Sequence, residues 1–370
     1  MILLDTSYVS PLLINTLSQT EKPIYDVTHQ QFLKGDFAFR AFGQDHSIIM
    51  NAEIGVNTLN EFLPDHNLTK MANLFKNKLA FRKSLASKYP DFFFQSCSLK
   101  ELKQLRVSEL PYPIIVKPIF GYGSEGVNKI NNSQAMTNYI NTLAENRIVD
   151  ERFILEQYIE GNEYAIDCYY NEHGEAVILN VFTRSFKDSN DVGDRIYFTS
   201  KEVIRSTIPM FTQYIQHFGE NYRLKNIPIH IELRVTPSND IIPIEINPLR
   251  FAGEGTTELG YYAYQINPYD YYIHNQKPDW DKVIAEMDDA IYSFTCAEIE
   301  KEMEPSIIDV IDHDALKKEF NEILSYRVLP LIGRSTFAVI FFKSPNVQEH
   351  GHILHLDFQQ FIKCKHYQLQ

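Results

Sequence analysis

The alternation of apolar and polar positions is clearest between His230 and Arg250, in HIELRVTPSNDIIPIEINPLR. Ile231, Leu233 and Val235 alternate with His230, Glu232 and Arg234; on the return, Ile242, Ile244 and Ile246 alternate with Glu245 and Asn247. That period of two predicts a pair of half-buried strands. Thr236 to Asp240 has the composition of a turn. A loop centred between Ser238 and Asn239 pairs Ile231 with Ile246, Leu233 with Ile244 and Val235 with Ile242, which makes one face aliphatic. The same register sets Glu232 opposite Glu245 and His230 opposite Asn247. Like charges directly opposite one another, with Cβ atoms about 5 Å apart, are destabilising. The pattern therefore predicts a compensating cation, and a hard divalent ion such as Mg²⁺ suits two carboxylates and an amide oxygen. A solvated polar face with an incidental acidic pair is the alternative.

The rest of the chain is less regular. From Leu68 a helical period carries Met71, Leu74, Phe75, Leu79 and Leu85, with Lys76, Lys78, Arg82 and Lys83 between them, and Tyr89-Pro90 stops it. Residues 91–110 read as a short strand and a helix. Ile114 to Lys117 reads as a strand, Gly121, Gly123 and Gly126 as a flexible loop, and Val127 to Ile130 as the returning strand. Spaced glycines let a backbone approach a phosphate and let a loop move, but an ordinary hairpin loop also explains them. No Gly-Lys-Ser/Thr closes the segment, so it is not a Walker A loop.

Asn132 to Ile148 reads as a helix, and Phe153 to Ile159 and Tyr164 to Tyr170 as strands around Gly161-Asn162. Glu156 falls among Ile154, Leu155 and Tyr158, where a charge needs hydrogen-bond donors such as a lysine or an adenine amino group, unless it faces water at a strand edge. A strand ends at Arg184 and a helix runs from about Glu202 to Phe218. The loop between them, FKDSNDVGDR, fails as a calcium loop at Val192, where an oxygen ligand is required. Phe251 to Tyr272 is rich in glycine and tyrosine and reads as a substrate-facing loop and helix or as core. Asp314 is placed to cap a helix carrying Leu316, Phe320, Ile323 and Leu324, Thr336 to Phe342 reads as a strand, and His350, His352 and His355 read as surface or strand histidines.

Composition narrows the function. The 370 residues suffice for two or three packed units, and 44% hydrophobic with 22% charged residues is ordinary for a globular protein. A net charge of −13 argues against nucleic acid as a partner. No apolar run approaches the roughly 18–20 residues of a membrane span, and the first residues lack the layout of a secretory signal. Cys97, Cys168, Cys296 and Cys364 are scattered, as expected of reduced thiols in the cytoplasm.

Lys78, Lys117, the loop GYGSEGV, the segment LEQYIEGNEYAID, and HIEL followed by IEINPLR form an ordered series from about Leu68 to Tyr271. This series resembles the ATP-grasp superfamily, the carboxylate–amine and carboxylate–thiol ligases related to D-alanine–D-alanine ligase, biotin carboxylase and amino-acid ligases. The resemblance implies an α/β (α+β) ATP-grasp fold with a small N-terminal α/β domain over 1–75, a nucleotide- and metal-binding domain over 76–275 and a C-terminal α+β extension over 276–370. It implies ATP and Mg²⁺, with Mn²⁺ as a substitute, as cofactors.

By resemblance, Lys78 and Lys117 hold the ATP phosphates, with Lys117 also catalytic, and Gly121, Tyr122, Gly123, Ser124 and Gly126 belong to the loop that closes over them. Glu156, Gln157 and Tyr158 belong to the hinge that reads the adenine edge, and Glu163 takes the ribose hydroxyls. Glu232, Glu245 and Asn247 match the metal ligands. Arg250 lies where relatives place an arginine on the acyl phosphate or tetrahedral intermediate, although Leu249 interrupts the usual Asn-Pro-Arg, and Arg234 is a second candidate, or else pairs with Glu232 or faces water. The implied activity is an ADP-forming ligation of a small carboxylic acid to an amine through an acyl phosphate. A small-molecule kinase and a nucleotide-binding protein without turnover are the alternatives, and a homodimer is the analogy for assembly.

Overall fold

The computed structural model describes residues 1–35, 39, 42–44, 46–121, 126–145, 152–188, 191, 193, 195–300, 303–331 and 335–365. Four strands, β1 (Ile2–Leu4), β2 (Ile24–Asp26), β3 (Gln31–Lys34) and β4 (Ile49–Met50), form an N-terminal sheet in the order β3-β2-β1-β4. A second sheet joins β5 (Phe94–Ser98), β6 (Ile114–Pro118), β7 (Asn128–Ile130) and β8 (Arg152–Gln157) in the order β5-β8-β6-β7. The remaining strands are β9 (Asn162–Tyr170), β10 (Ala176–Ser185), β11 (Ile196–Ser200), β12 (Ile227–Val235), β13 (Ile241–Pro248), β14 (Ile291–Glu298), β15 (Ile308–Ile311), β16 (Ile323–Val328), β17 (Thr336–Ser344) and β18 (Ile362–Cys364). Eight of these make one sheet in the order β13-β12-β9-β10-β11-β14-β17-β16, while β15 pairs with β18 apart. Strands beyond residue 276 thus continue the sheet that carries the predicted metal ligands.

The second sheet has its own core, in which Ile114, Val116, Phe153 and Leu155 pack on Met136, Ile140 and Leu143 of the helix Ser133–Glu145. The N-terminal sheet shares a core with one face of the large sheet, through Leu3, Ile49, Ile229 and Ile246. A small lobe with a separate core is therefore joined to the large sheet by the short connection from β8 to β9. Gly161 in that connection has φ 127°, a conformation open to glycine and strained for other residues.

The predicted hairpin is β12 and β13, with Ile231 opposite Ile246, Glu232 opposite Glu245 and His230 opposite Asn247. Beyond Glu232 the register shifts: Leu233 faces Pro243, Arg234 faces Ile242 and Val235 faces Ile241, which replaces the predicted Leu233–Ile244 and Val235–Ile242 pairs. Ile244 is the extra residue of a bulge beside Pro243, which has no N–H to give a ladder, and β13 is an edge strand, where proline is tolerated.

The predicted single helix from Leu68 to Leu85 is two, Asn67–Lys76 and Lys78–Leu85. Asn77 breaks it: its backbone is extended and its side chain caps the second helix by accepting from the Ala80 N–H at 2.9 Å. Near the C-terminus the cap is Asp312 rather than Asp314, the helix is the short His313–Lys317, and Ile323 and Leu324 lie on β16. His350, His352 and His355 lie on the helix Gln348–His355, and His350 is buried. Tyr264, Tyr269 and Tyr272 are also buried, so these tyrosines are core.

Candidate active site

The large sheet lays the site out as cross-strand rows on one face. Asn180, Asp167, His230 and Asn247 stand side by side on β10, β9, β12 and β13; Phe182, Ala165, Glu232 and Glu245 form the next row; Glu163, Arg234 and Ile242 follow. Small Ala165 stands beside Glu232, and the row holds no cation. The charge balance comes from neighbouring rows and from the helices.

In the first row Asp167 is fully buried and satisfied on both oxygens. Its Oδ1 accepts from His230 Nδ1 and from the Ala252 N–H, each at 2.8 Å, and its Oδ2 accepts from Asn180 at 2.9 Å and Thr257 at 2.6 Å. His230 Nε2 lies 3.6 Å from Glu232 Oε1. Burial opposes a charged imidazole, but the two flanking carboxylates overcome it and raise His230 to about 9. The same contact holds Glu232 down at about 2 against its own burial. The sequence places His230 beside the acidic pair; Asp167, on another strand, comes only with the sheet order.

Glu245 draws two lysines. Lys78 Nζ is 3.2 Å from its Oε2 and donates to the Gly121 carbonyl at 2.7 Å, while Lys76 Nζ is 3.8 Å from its Oε1. Residues two apart on one helix do not face the same way, so both ammonium groups reach one carboxylate because Asn77 breaks the helix. Lys76 also donates to Asn247 Oδ1 at 3.2 Å and to Glu53 Oε1 at 2.6 Å. Arg250 Nη2 donates to the same Glu53 oxygen at 3.0 Å. Burial raises the Glu53 carboxyl, but Arg250 and Lys76 bring it below the ordinary value. Leu249 is buried with φ 62°, and its carbonyl accepts from the Met50 N–H at 2.7 Å. The residue that interrupts the Asn-Pro-Arg pattern thus occupies a strained turn that aims Arg250 at Glu53.

Lys117, on β6 of the small lobe, pairs with Glu156 Oε2 at 2.7 Å, and Arg82 Nε donates to Glu156 Oε1 at 2.7 Å. Both carboxylate oxygens expected to serve a base edge are, as the side chains stand, counter-ions of these two cations. Burial alone would raise Glu156; Arg82 and Lys117 hold it at about 2. The Tyr158 N–H donates to the Pro113 carbonyl at 3.0 Å, and its ring receives the Lys129 ammonium at 3.7 Å from the centroid. Gln157 is exposed at the end of β8. Glu163, expected on a ribose, accepts from Arg184 on Oε1 and from Arg234 Nε on Oε2 at 2.9 Å. Arg234 therefore pairs with Glu163 rather than Glu232; it is buried and also donates to the Ile159 carbonyl at 2.7 Å. Gly121 and Gly126 have φ 138° and 70°, while Tyr122, Gly123 and Ser124 lie outside the described residues.

Two clusters result: Lys78, Glu232, Glu245, Asn247 and Arg250 on the large sheet, and Lys117 with Glu156 on the small lobe. A cleft of about 440 Å³ opens beside the hinge at Pro113, Tyr158 and Pro237, and none of those charged residues lines it. Among the described residues no three His, Cys, Asp or Glu side chains group as metal ligands. Glu232, Glu245 and Asn247 offer two carboxylates and an amide oxygen. Mg²⁺ takes such a set because water and phosphate oxygens complete its shell. The two ammonium groups on Glu245 and the one on Asn247 Oδ1 show that these oxygens already attract cations. The donor set fits the ion.

Residues 110–258 match the ATP-grasp domain. The chain is 33% identical over 222 residues to the ATP-grasp enzyme fsqD of Aspergillus fumigatus, across 50% of this chain and 38% of that protein. It thus matches well under half the length of that curated relative. Among solved structures it is similar to an L-amino acid ligase from Bacillus licheniformis, at 13% identity, with 99% of this chain and 98% of that one covered and a TM-score of 0.62. A carboxyaminoimidazole ribonucleotide synthase from Aspergillus clavatus, complexed with ATP, is also 13% identical, with 95% and 96% covered and a TM-score of 0.62. The biotin carboxylase domain of a 2-oxoglutarate carboxylase from Hydrogenobacter thermophilus, a dimer with MgADP and bicarbonate, is 14% identical over 81% and 70% with a TM-score of 0.51. The chain carries an ATP-grasp domain, and its fold is that of ATP-grasp proteins.

Proposed function

We propose that this ATP-grasp chain is an ATP-dependent, ADP-forming ligase that joins a small carboxylic acid to an amine through an acyl phosphate. The observation that carries the reading is the convergence of Lys78 with Glu245 and of Arg250 with Lys76 beside Asn247, which sets cations for phosphate and carboxylate against oxygen ligands for a metal.

A carboxylate oxygen of the acid attacks the γ-phosphorus of ATP, the bond from that phosphorus to the bridging oxygen breaks, and ADP leaves with the electron pair. The amine then attacks the acyl carbon, phosphate departs, and the amine gives up a proton. Lys78, and Lys117 once the small lobe closes, neutralise the phosphate oxygens. Glu232, Glu245 and Asn247 would hold Mg²⁺, which would supply charge neutralisation for the nucleotide phosphates. Arg250, fixed by Glu53, faces the oxygen that gains charge in the acyl phosphate and tetrahedral intermediate. Glu163 and Arg234 serve the ribose side of the hinge. Closure of the small lobe over the large sheet excludes water from the acyl phosphate.

Of the segments 1–75, 76–275 and 276–370, the first contributes Glu53, the second the nucleotide- and metal-binding residues, and the third adds β14, β16 and β17 to the sheet of the second. The net charge of −13 supports small-molecule substrates over nucleic acid. No helix among the described residues is long and apolar enough to cross a membrane, and the reading places the enzyme in the cytoplasm. Assembly as a homodimer follows by analogy with the biotin carboxylase domain, which is a dimer.

The test is ADP and phosphate release with MgATP and pooled carboxylates, with and without pooled amines, followed by mass spectrometry. Release that needs both pools, with a product lighter than its substrates by one water, is the expected result. A phosphorylated product from one pool alone would make the protein a kinase, and bound ATP without release would make it a binding protein.

A further inference from the structure

Lys76 is the last residue of its helix, and its side chain is only 14% exposed, unlike an ordinary solvated lysine. Its ammonium meets Glu53 Oε1 at 2.6 Å, Asn247 Oδ1 at 3.2 Å and Glu245 Oε1 at 3.8 Å. Two of those three oxygens belong to the set assigned to the divalent ion. The other oxygen of Glu245 is held by Lys78 at 3.2 Å.

We infer that Lys76 is a tethered counter-ion of the metal site, which disfavours a divalent cation arriving alone and favours one arriving with nucleotide phosphates. This rests on the metal assignment proposed above. Mg²⁺ or Mn²⁺ held by Glu245 and Asn247 would take the oxygens that Lys76 now faces. A lysine ammonium on the same two oxygens would then be close enough to repel it strongly. The ammonium has one place to withdraw to, because Glu53 already binds it and is shared with Arg250. Lys76 and Arg250 already share one Glu53 oxygen, and withdrawal leaves Lys76 with that carboxylate as its counter-ion, an arrangement that gains from a new anion alongside. Nucleotide phosphates provide that anion, so nucleotide and metal each favour the entry of the other. Glu53 sets where Lys76 comes to rest.

The experiment measures binding of Mn²⁺ alone to the full chain, from the free-ion signal in electron paramagnetic resonance. Wild type, Lys76→Met, Lys76→Gln, Lys76→Arg and Glu245→Gln are compared after thermal melts confirm folding. Both neutral substitutions are expected to tighten Mn²⁺ binding by about tenfold or more, while Lys76→Arg, which keeps the charge, stays close to wild type. Adding ADP should shrink the difference, because its phosphates relieve the repulsion in wild type. Neutral variants that bind Mn²⁺ no better than wild type, while Glu245→Gln still weakens binding, would overturn the counter-ion and leave the metal site standing. If Glu245→Gln leaves Mn²⁺ binding unchanged, the metal assignment itself fails and the inference with it.

Discussion

Arg250 reaches Glu53 across 197 positions of sequence, its Nη2 donating to Oε1 at 3.0 Å. The contact links the N-terminal segment after β4 to the turn that follows the metal ligands, and buried Leu249 at φ 62° fixes its direction. Glu53 acts through Arg250, so the two should not contribute independently. Arg250→Ala is expected to lower kcat by about 10²-fold or more, the scale of removing one donor from a developing anion. Glu53→Gln should cost less, about tenfold, and the double variant should be little worse than Arg250→Ala alone. Steady-state kinetics with MgATP on all three variants check this; strictly multiplicative losses would show that Glu53 does not position the arginine.

Glu156 pairs with Lys117 inside the small lobe and, through Arg82, ties that lobe to the helix Lys78–Leu85. It is buried and held at about 2, while an unfolded glutamate titrates near ~4.3. The native state binds fewer protons through that window, so this stabilisation is complete above ~4.3 and is lost as pH falls towards 2. Its size is roughly 3 kcal/mol. Urea unfolding of wild type and Glu156→Gln at pH 6, 4 and 3 should show a stability gap that narrows as pH falls. A gap that does not change with pH would mean that the carboxylate charge is not what Lys117 and Arg82 recognise.

The sequence reveals Glu232, Glu245 and Asn247 because the period of two and a five-residue turn fix which positions oppose, and the structure keeps those two rows. It does not reveal the bulge at Ile244, since a shift of one residue depends on how Pro243 fits the edge of a finished sheet. Lys78 is legible through the order of the motifs. Lys76 is hidden because an unbroken helical period places it away from Lys78, and only the extended backbone at Asn77 turns both towards Glu245. Glu53 and Asp167 are hidden for another reason: each meets its partner through contacts 197 and 63 positions long, set by a strand order that differs from sequence order. The same reordering puts β14, β16 and β17 into the central sheet, where the resemblance implies a C-terminal extension.

Gly161 carries the hinge. A Cβ added there would lie 2.0 Å from the Val235 carbonyl oxygen, and its φ of 127° is strained for any side chain. Relief requires β12 to move away from the hinge, and Val235 adjoins Arg234, which holds Glu163. Gly161→Ala should cost about 3 kcal/mol or more and weaken binding of a fluorescent ATP analogue. Thermal melts and analogue titration measure both. An alanine variant with wild-type melting and binding would show that the hinge backbone has room the structure denies it.

His350 gives a second pH window, separate from that of Glu156. Its Nε2 lies 2.6 Å from Ser293 Oγ and its Nδ1 3.2 Å from Ser185 Oγ, so the buried ring bridges β14 and β10. Burial lowers the imidazole to about 4, with Glu349 opposing only in part. An unfolded histidine titrates near ~6.5, so between ~6.5 and 4 the unfolded chain binds the extra proton. Stability from this group is complete above ~6.5, falls as pH drops to about 4 and changes no further below that. The loss is up to roughly 3 kcal/mol. His350→Gln keeps polar atoms for both serines and cannot take up a charge, so it should flatten the decline between pH 6.5 and 4 while leaving the Glu156 window unchanged. Urea midpoints at half-unit pH steps resolve the two windows. A variant that retains the wild-type slope above pH 4 would assign that slope to another group.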